Sequence, residues 1–443
     1  MCSLLPPITV RLPFWVVAIA LVAPAISAAD APSTASTRGG SASIVDPSTL
    51  TGKVMCGYQG WFNTPEDGAG RGWVHWGRGA MEPGKASVEM LPDVLELDPE
   101  EKFPTAFRLA GGSVVEVFSS FNRKTVVRHF KWMRDHGIDG VFLQRFGNGI
   151  GNPRVMTHYD RILANVRAGA EAYGRAYGLM YDLSGMKDGC AATVIDDFKA
   201  QVDQTRFIRD AQYIHHNGKP VVVVWGIGFG NEHRPNLYAD GFKIVDFLKN
   251  DPTYGQNTVM VGVPHWWRES KPKPPETRAD FDKVLKLADI IQPWGVGSYG
   301  DLAGVTRNAE QRWMPDLAWC RANGRQYMPV VFPGFSWNNL KPGAPFNQIP
   351  RLGGRFLWQQ FVEARRLGMP MVYVAMFDEL DEATAVFKVT NAIPPDGKSR
   401  FLSLEGLPSD HYLKLVGQGA RLIRGEITPD QEHVIKSTPT SRP

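Results

Sequence analysis

Cysteine is scarce in this chain, with four in 443 residues. None is paired at a CxxC spacing and no HExxH occurs, so a zinc site has no support and no metal is expected. Cys2 falls at the extreme N-terminus. Cys56, Cys190 and Cys320 are widely spaced and allow one disulfide at most, which excludes a disulfide framework. An excess of one charge is lacking too. Lys and Arg number 49 against 45 Asp and Glu, a net +4 with no basic run, which argues against a nucleic-acid partner. Long apolar runs are missing except near the start. There, Phe14–Ala23 follows Arg11 and precedes Ser27, Ala28 and Ala29. This is the three-region pattern of a secretory signal, short for a membrane span. The expectation is a signal peptide over 1–29 and a secreted or periplasmic protein with no membrane contact after cleavage. An uncleaved anchor is the alternative. No cofactor is expected. The segment Gly295-Val-Gly-Ser-Tyr-Gly300 fits GxGxxG, but no helix opens within it and no acid follows at about twenty residues.

What is present is an ordinary globular balance, 43% hydrophobic and 21% charged, with 13 Trp that often neighbour Gly, Pro or His. Residues 30–45 are rich in Ser, Thr, Ala and Gly and read as a flexible linker. Residues 426–443 are polar and read as a loose tail. Between them, 46–425 show no change of composition and predict one domain. Within it, short apolar runs alternate with helix-period segments. The runs are Val54–Tyr58, Gly140–Gln144, Gly178–Asp182, Pro220–Trp225, Thr258–Val263, Asp289–Gln292, Tyr327–Phe332 and Met371–Phe377. Each is apolar on both faces, as strands of a covered parallel sheet are. Helices are expected over Lys124–His136, Tyr159–Tyr173, Val194–His215, Phe281–Ala288, Glu310–Arg321 and Phe356–Leu367. Eight strands at βα spacing predict an α/β fold, a single (β/α)8 TIM-type barrel. An open doubly wound sheet is the alternative. Val114–Phe118 is placed in a long insertion, 62–120, after the first strand, or else is itself a barrel strand. His215-His216 before Asn217-Gly218 reads as a helix end. His129 and His136 are expected away from the barrel mouth, and Cys56 on a buried strand.

In such a barrel the chemistry lies at the carboxyl ends of the strands. Those ends carry Tyr58, Gln59 and Trp61; Gln144 and Arg145; Asp182; Trp225; His265 and Trp266; Trp294; and Phe335–Asn339. The insertion adds Trp73-Val-His75-Trp76, expected to wall the same cleft. Indoles pack the apolar faces of sugars, and amides, guanidinium and carboxylates pair their hydroxyls. Any one Trp could instead serve rim packing. The last strand runs into Phe377-Asp378-Glu379-Leu380-Asp381-Glu382. Two of these acids facing one cleft must differ in protonation, the requirement of glycoside hydrolysis. A solvated acidic loop before a helix is the other reading.

The chain resembles the glycoside hydrolases of the family 71 and 99 group, the latter containing endo-α-mannosidases. The resemblance spans about residues 50–425. It rests on Gly57-Tyr58-Gln59-Gly60-Trp61-Phe62, on Gly137-Ile-Asp139-Gly140-Val141 and on Phe377–Glu382. It implies a retaining mechanism in which Glu379 is base towards the sugar 2-hydroxyl and Glu382 is general acid, then base. Leu380-Asp381 departs from the Trp-His-like pair of the family, Ala383 from its Gly, and Asp378 from its Asn. The expected function is therefore a secreted, endo-acting α-glycosidase on a glycan or polysaccharide. Tyr58, Gln59, Gln144, Arg145, Asp182, His265 and Asp378 would orient hydroxyls, and Trp61, Trp76, Trp225, Trp266 and Trp294 would stack on rings. The alternatives are a non-catalytic carbohydrate-binding protein and an inverting glycosidase using Asp182 with Glu382.

Overall fold

The computed structural model describes residues 44–230, 235–270 and 278–431. The expected signal peptide, most of the linker and most of the tail lie outside the described residues. The chain opens with β1 (Val54–Tyr58). An insertion follows that contains an antiparallel pair, β2 (Phe103–Arg108) and β3 (Val114–Val117). The elements then run α1 (Arg123–His136), β4 (Gly140–Phe146), α2 (Pro153–Tyr173), β5 (Ala176–Asp182), α3 (Ala191–Thr205), β6 (His215–His216) and β7 (Lys219–Trp225). Next come α4 (Tyr238–Asn250), β8 (Thr258–Pro264), α5 (Arg278–Leu287), β9 (Ile290–Trp294), α6 (Leu302–Asn308) and α7 (Met314–Ala322). Last are β10 (Gln326–Tyr327), β11 (Val330–Val331), α8 (Arg355–Arg366), β12 (Val372–Val374) and α9 (His411–Arg424).

The large sheet has the order β10-β9-β8-β7-β5-β4-β1-β12-β11, parallel throughout that path. Its two ends are halves of one strand, interrupted at Met328-Pro329, where proline has no N–H to give a ladder. Met328 N donates to Ile291 O at 3.0 Å on one side, and Pro329 O accepts from Tyr373 N at 3.0 Å on the other. The sheet is thereby closed into an eight-stranded barrel, and the open doubly wound alternative is set aside.

Strand residues alternate between two apolar clusters, as the two-residue side-chain period requires. Met55, Phe142, Met180, Val223, Met260, Ile290 and Tyr373 fill the barrel. Cys56, Val141, Leu179, Val222, Val261, Ile291 and Val374 pack outward in the other cluster, with residues of the helices. Val45 and Leu50 join the inner cluster. Their segment bonds to the loops that precede β5 and β12, through Val45 N to Gly174 O and Gly52 N to Pro370 O. It therefore covers the end of the barrel opposite the cleft.

Two sequence expectations change. The helix predicted over Val194–His215 ends at Thr205. His215–His216 instead forms a strand paired antiparallel with β7. The turn between them, Asn217-Gly218, has φ of 52° and 75°, the left-handed pair that a two-residue hairpin needs. The segment Val114–Val117 lies in the insertion, with an unanticipated partner in β2. The helices α4 and α9 were not anticipated either. Cys56, Cys190 and Cys320 are all free and buried. His129 is a packing residue, buried on α1 with its Nδ1 2.8 Å from the Tyr58 hydroxyl. Among the described residues, no helix is long and apolar enough to cross a membrane.

Candidate active-site cleft

A cleft of about 580 Å³ opens at the carboxyl ends of the strands. Its lining follows from strand parity. In β4, Phe142 points inward, so Gln144 and Phe146 do too. In β5, Met180 points inward, and so do Asp182 and, past the strand, Ser184. Trp225 continues the inward series of Val221 and Val223, and Trp294 that of Ile290 and Gln292. To these the loop after β1 adds Gln59 and Trp61. The insertion adds Arg71 and His75, the start of α2 adds Val155 and Tyr159, and the loop after β12 adds Glu379 and Glu382. Eight of the residues expected from sequence thus meet here: Gln59, Trp61, Gln144, Asp182, Trp225, Trp294, Glu379 and Glu382.

Six others do not line it. Tyr58 and Arg145 have the outward parity. Arg145 is buried in a bidentate pair with Asp197 at 2.6 and 2.7 Å, and also meets Asp160 at 3.0 Å. His265 likewise has outward parity. It is close to Tyr299, and burial pushes its imidazole down to about 4. Trp266 is 54% exposed and outside the cleft. Trp76 is fully buried, its indole N–H donating to Phe118 O at 3.1 Å, so of the aromatic wall expected from the insertion it is His75 that lines the cleft. Asp378 is a buried clamp, not a sugar ligand. Its two oxygens accept from Gln59 N at 2.8 Å and Gly60 N at 2.9 Å, which ties the loop after β12 to the loop after β1. Arg71, Phe146, Asn148, Gly149, Val155, Tyr159 and Ser184 line the cleft without having been singled out. Phe146 and Ser184 were findable, each being the next inward step after a residue already named.

The walls are aromatic. Trp61 lies flat on His75 with centroids 3.7 Å apart and 4° between planes, and packs Phe146 on the cleft side of β4. Trp225 and Trp294 meet edge to face at 5.3 Å. The polar centre is acidic. Burial pushes Asp182 up to about 6, against the hydrogen bond it accepts from Ser184. Burial, with the charge of Asp381, pushes Glu382 up to about 7, against the pull of Lys341. Glu379 is raised well above the carboxylate range, by burial first and then by Glu382 and Asp381. Two carboxyls so coupled titrate as a pair. Near neutrality this pair holds a proton. Among the described residues no group of His, Cys, Asp or Glu is arranged to hold a metal ion.

No family model matches the sequence, and no curated protein matches it. Solved structures do. The chain is similar to the family GH99 endo-α-mannosidase from Bacteroides thetaiotaomicron in complex with bis-tris propane. The TM-score is 0.60 and the identity 13%, over 85% of this chain and 99% of that one. A second structure of the family GH99 endo-α-mannosidase from the same organism matches with a TM-score of 0.58 at 14% identity, over 85% and 99% of the two chains. At such identities the likeness is one of fold. This chain is a (β/α)8 barrel built like those of family 99 glycoside hydrolases.

Proposed function

We propose that this protein is an exported glycoside hydrolase that cleaves α-glycosidic bonds within a glycan or polysaccharide, with retention, and that Glu379 and Glu382 are its acid–base pair. One observation carries the reading. The loop after β12 presents both glutamates to a cleft of about 580 Å³ that is also lined by Trp61, Trp225 and Trp294. The likeness in fold to endo-α-mannosidases supports it. Indole faces would take the apolar faces of sugar rings, and Gln59, Gln144 and Asp182 would pair hydroxyls.

In the first step Glu379 takes the proton of the sugar 2-hydroxyl, whose oxygen closes on C1. Glu382 meanwhile gives its proton to the departing glycosidic oxygen. In the second, Glu382 takes a proton from water, the water oxygen adds to C1, and the proton on Glu379 returns to the 2-oxygen. A substrate hydroxyl that donates to Glu379 stabilises its charged form and leaves the shared proton for Glu382.

The test is turnover of Glu379→Gln and Glu382→Gln on a substrate found by glycan screening. Each is expected to lose about 10²–10⁴-fold in kcat, with binding by calorimetry retained. Full turnover in both variants removes the pair from the mechanism, and binding without cleavage by the native protein makes it a lectin-like barrel. A second reading, inversion, is favoured by Asp182. It lies on the same cleft from a different strand and is raised towards neutrality. Proton NMR of the first-formed anomer decides between retention and inversion.

A further inference from the structure

His75 reaches the cleft from the insertion, 306 residues away in sequence from the acid it meets. Its Nδ1 is 2.8 Å from Asp381 Oδ2. Its ring is seated flat on Trp61. Its backbone is held at φ 62°, a left-handed conformation that side chains other than glycine adopt rarely and mostly where the surroundings impose it. Asp381 is 1% exposed. Its other oxygen, Oδ1, has no partner, and His75 is the one side chain among the described residues that bonds to it. Asp381 sits between the two glutamates in sequence and acts on both of them electrostatically.

A buried carboxylate with a single side-chain donor is a costly arrangement, and packing alone does not call for it, since an apolar or amide side chain would pack there without the charge. We propose that His75 is a positioning residue of the acid pair: its ring nitrogen holds Asp381 ionised beside Glu379 and Glu382, and that fixed negative charge keeps a proton on the pair. The proposal deepens the reading of the pair as acid and base and rests on it. The electrostatics agree in sign. Burial raises Asp381, and His75 opposes that rise both by its charge and by its hydrogen bond. Asp381 in turn raises both glutamates. The other charged or titratable groups around the glutamates are few: Asp182 of β5 and Tyr159 of α2 line the same cleft, and Tyr373 of β12 feels Glu379. Asp378 is on the same loop. Lys341, from the loop after β11, acts on Glu382 in the opposite sense. Arg71 comes from the insertion, and His158 from α2 feels His75.

The experiment is a carbon-13 titration of the side-chain carboxyls in the free protein, native and variant. His75→Phe keeps a flat ring against Trp61 and removes the nitrogen. Without its donor the buried Asp381 takes up a proton, and its charge is lost. The glutamate pair then ionises at lower pH, by about one unit. Asp381→Asn removes the charge directly and gives the same downward shift. The double variant shifts no further than Asp381→Asn alone, because His75 acts through Asp381. His75→Asn gives a smaller downward shift than His75→Phe, since its amide can donate from near the Nδ1 position but carries no charge, and asparagine tolerates left-handed backbone. Should His75→Phe fold poorly, Asp381→Asn and His75→Asn still decide. A titration unmoved in the single variants, or moved upward in His75→Phe, overturns the proposal. The measurement needs no substrate. Displaced titrations alongside full turnover in Glu382→Gln would therefore sink the glycosidase mechanism and leave the dyad standing.

Discussion

Arg145 shows how a residue can look like a ligand and serve as a strut. Its guanidinium is 1% exposed and joins β4 to α3 through Asp197, which also accepts from the Tyr181 hydroxyl at 2.7 Å. Replacing it leaves a buried carboxylate without its counter-charge. Arg145→Met is expected to lower the free energy of unfolding by about 3–5 kcal/mol, read from urea denaturation, while the protein that remains folded binds sugar as before. A loss of binding with stability intact would return Arg145 to the cleft. The composition of the strand ends was legible in the sequence, and so was the acid cluster. Which end residues face the cleft was legible only through parity. The two-residue period sends Tyr58, Arg145 and His265 outward and Gln144, Asp182, Trp225 and Trp294 inward. Residue type alone does not make that distinction, because arginine and tyrosine serve helix–sheet packing as readily as they serve a sugar. The dyad of His75 and Asp381 could not be read at all, since it depends on how a long insertion folds back over the barrel.

At the scale of elements, the cleft depends on two loops from opposite ends of the chain being held together. Asp378 performs this by accepting from two successive backbone N–H groups, of Gln59 and Gly60. The geometry requires glycine at the second position. Gly60 has φ 61°, and a Cβ there would come within 2.7 Å of the Ile162 side chain on α2. Gly60→Ala is expected to lose about 1–3 kcal/mol of stability, measured by urea denaturation. It should also weaken sugar binding by moving Gln59 and Trp61. A neutral result would mean that the loop relaxes without cost. Most strands were legible because both faces of a covered parallel strand are apolar. The seventh was legible as a run but not as two halves, since Met328-Pro329 interrupts the ladder without interrupting the hydrophobicity. The β6–β7 hairpin is not legible, because an Asn-Gly turn reads equally as a helix end. Both structures use a left-handed residue, and only the partner strand tells them apart.

For the whole molecule, burial of titratable groups gives stability a particular pH dependence. Glu382 and Asp378 are pushed up to about 7, and Glu379 is raised as well. The folded state therefore holds protons that the unfolded chain has released, and stability falls as pH rises through neutrality. Below about 6.5 a second set works in the opposite sense. Burial lowers His129 and His158 to about 3 and His265 to about 4, so there the unfolded chain gains protons that the folded state refuses. The two sets offset each other in mildly acidic solution, and the carboxyls act alone above it. The melting temperature is therefore expected to drop between about pH 6.5 and 8 at constant ionic strength. Asp378→Asn and Glu382→Gln should each flatten that slope. A melting temperature that climbs over the interval would show that these acids are ionised in the folded protein.

The clamp at Asp378 also bears on timing during synthesis. The carboxylate and the amides it holds are 319 and 318 residues apart, and it follows the eighth and last strand of the barrel. A ribosome has made all eight strands of the barrel before the cleft can exist. Any shortened product that stops ahead of Asp378 lacks the floor of the cleft and the latch on its first loop together. Such fragments carry neither Glu379 nor Glu382, whatever portion of the barrel they manage to assemble.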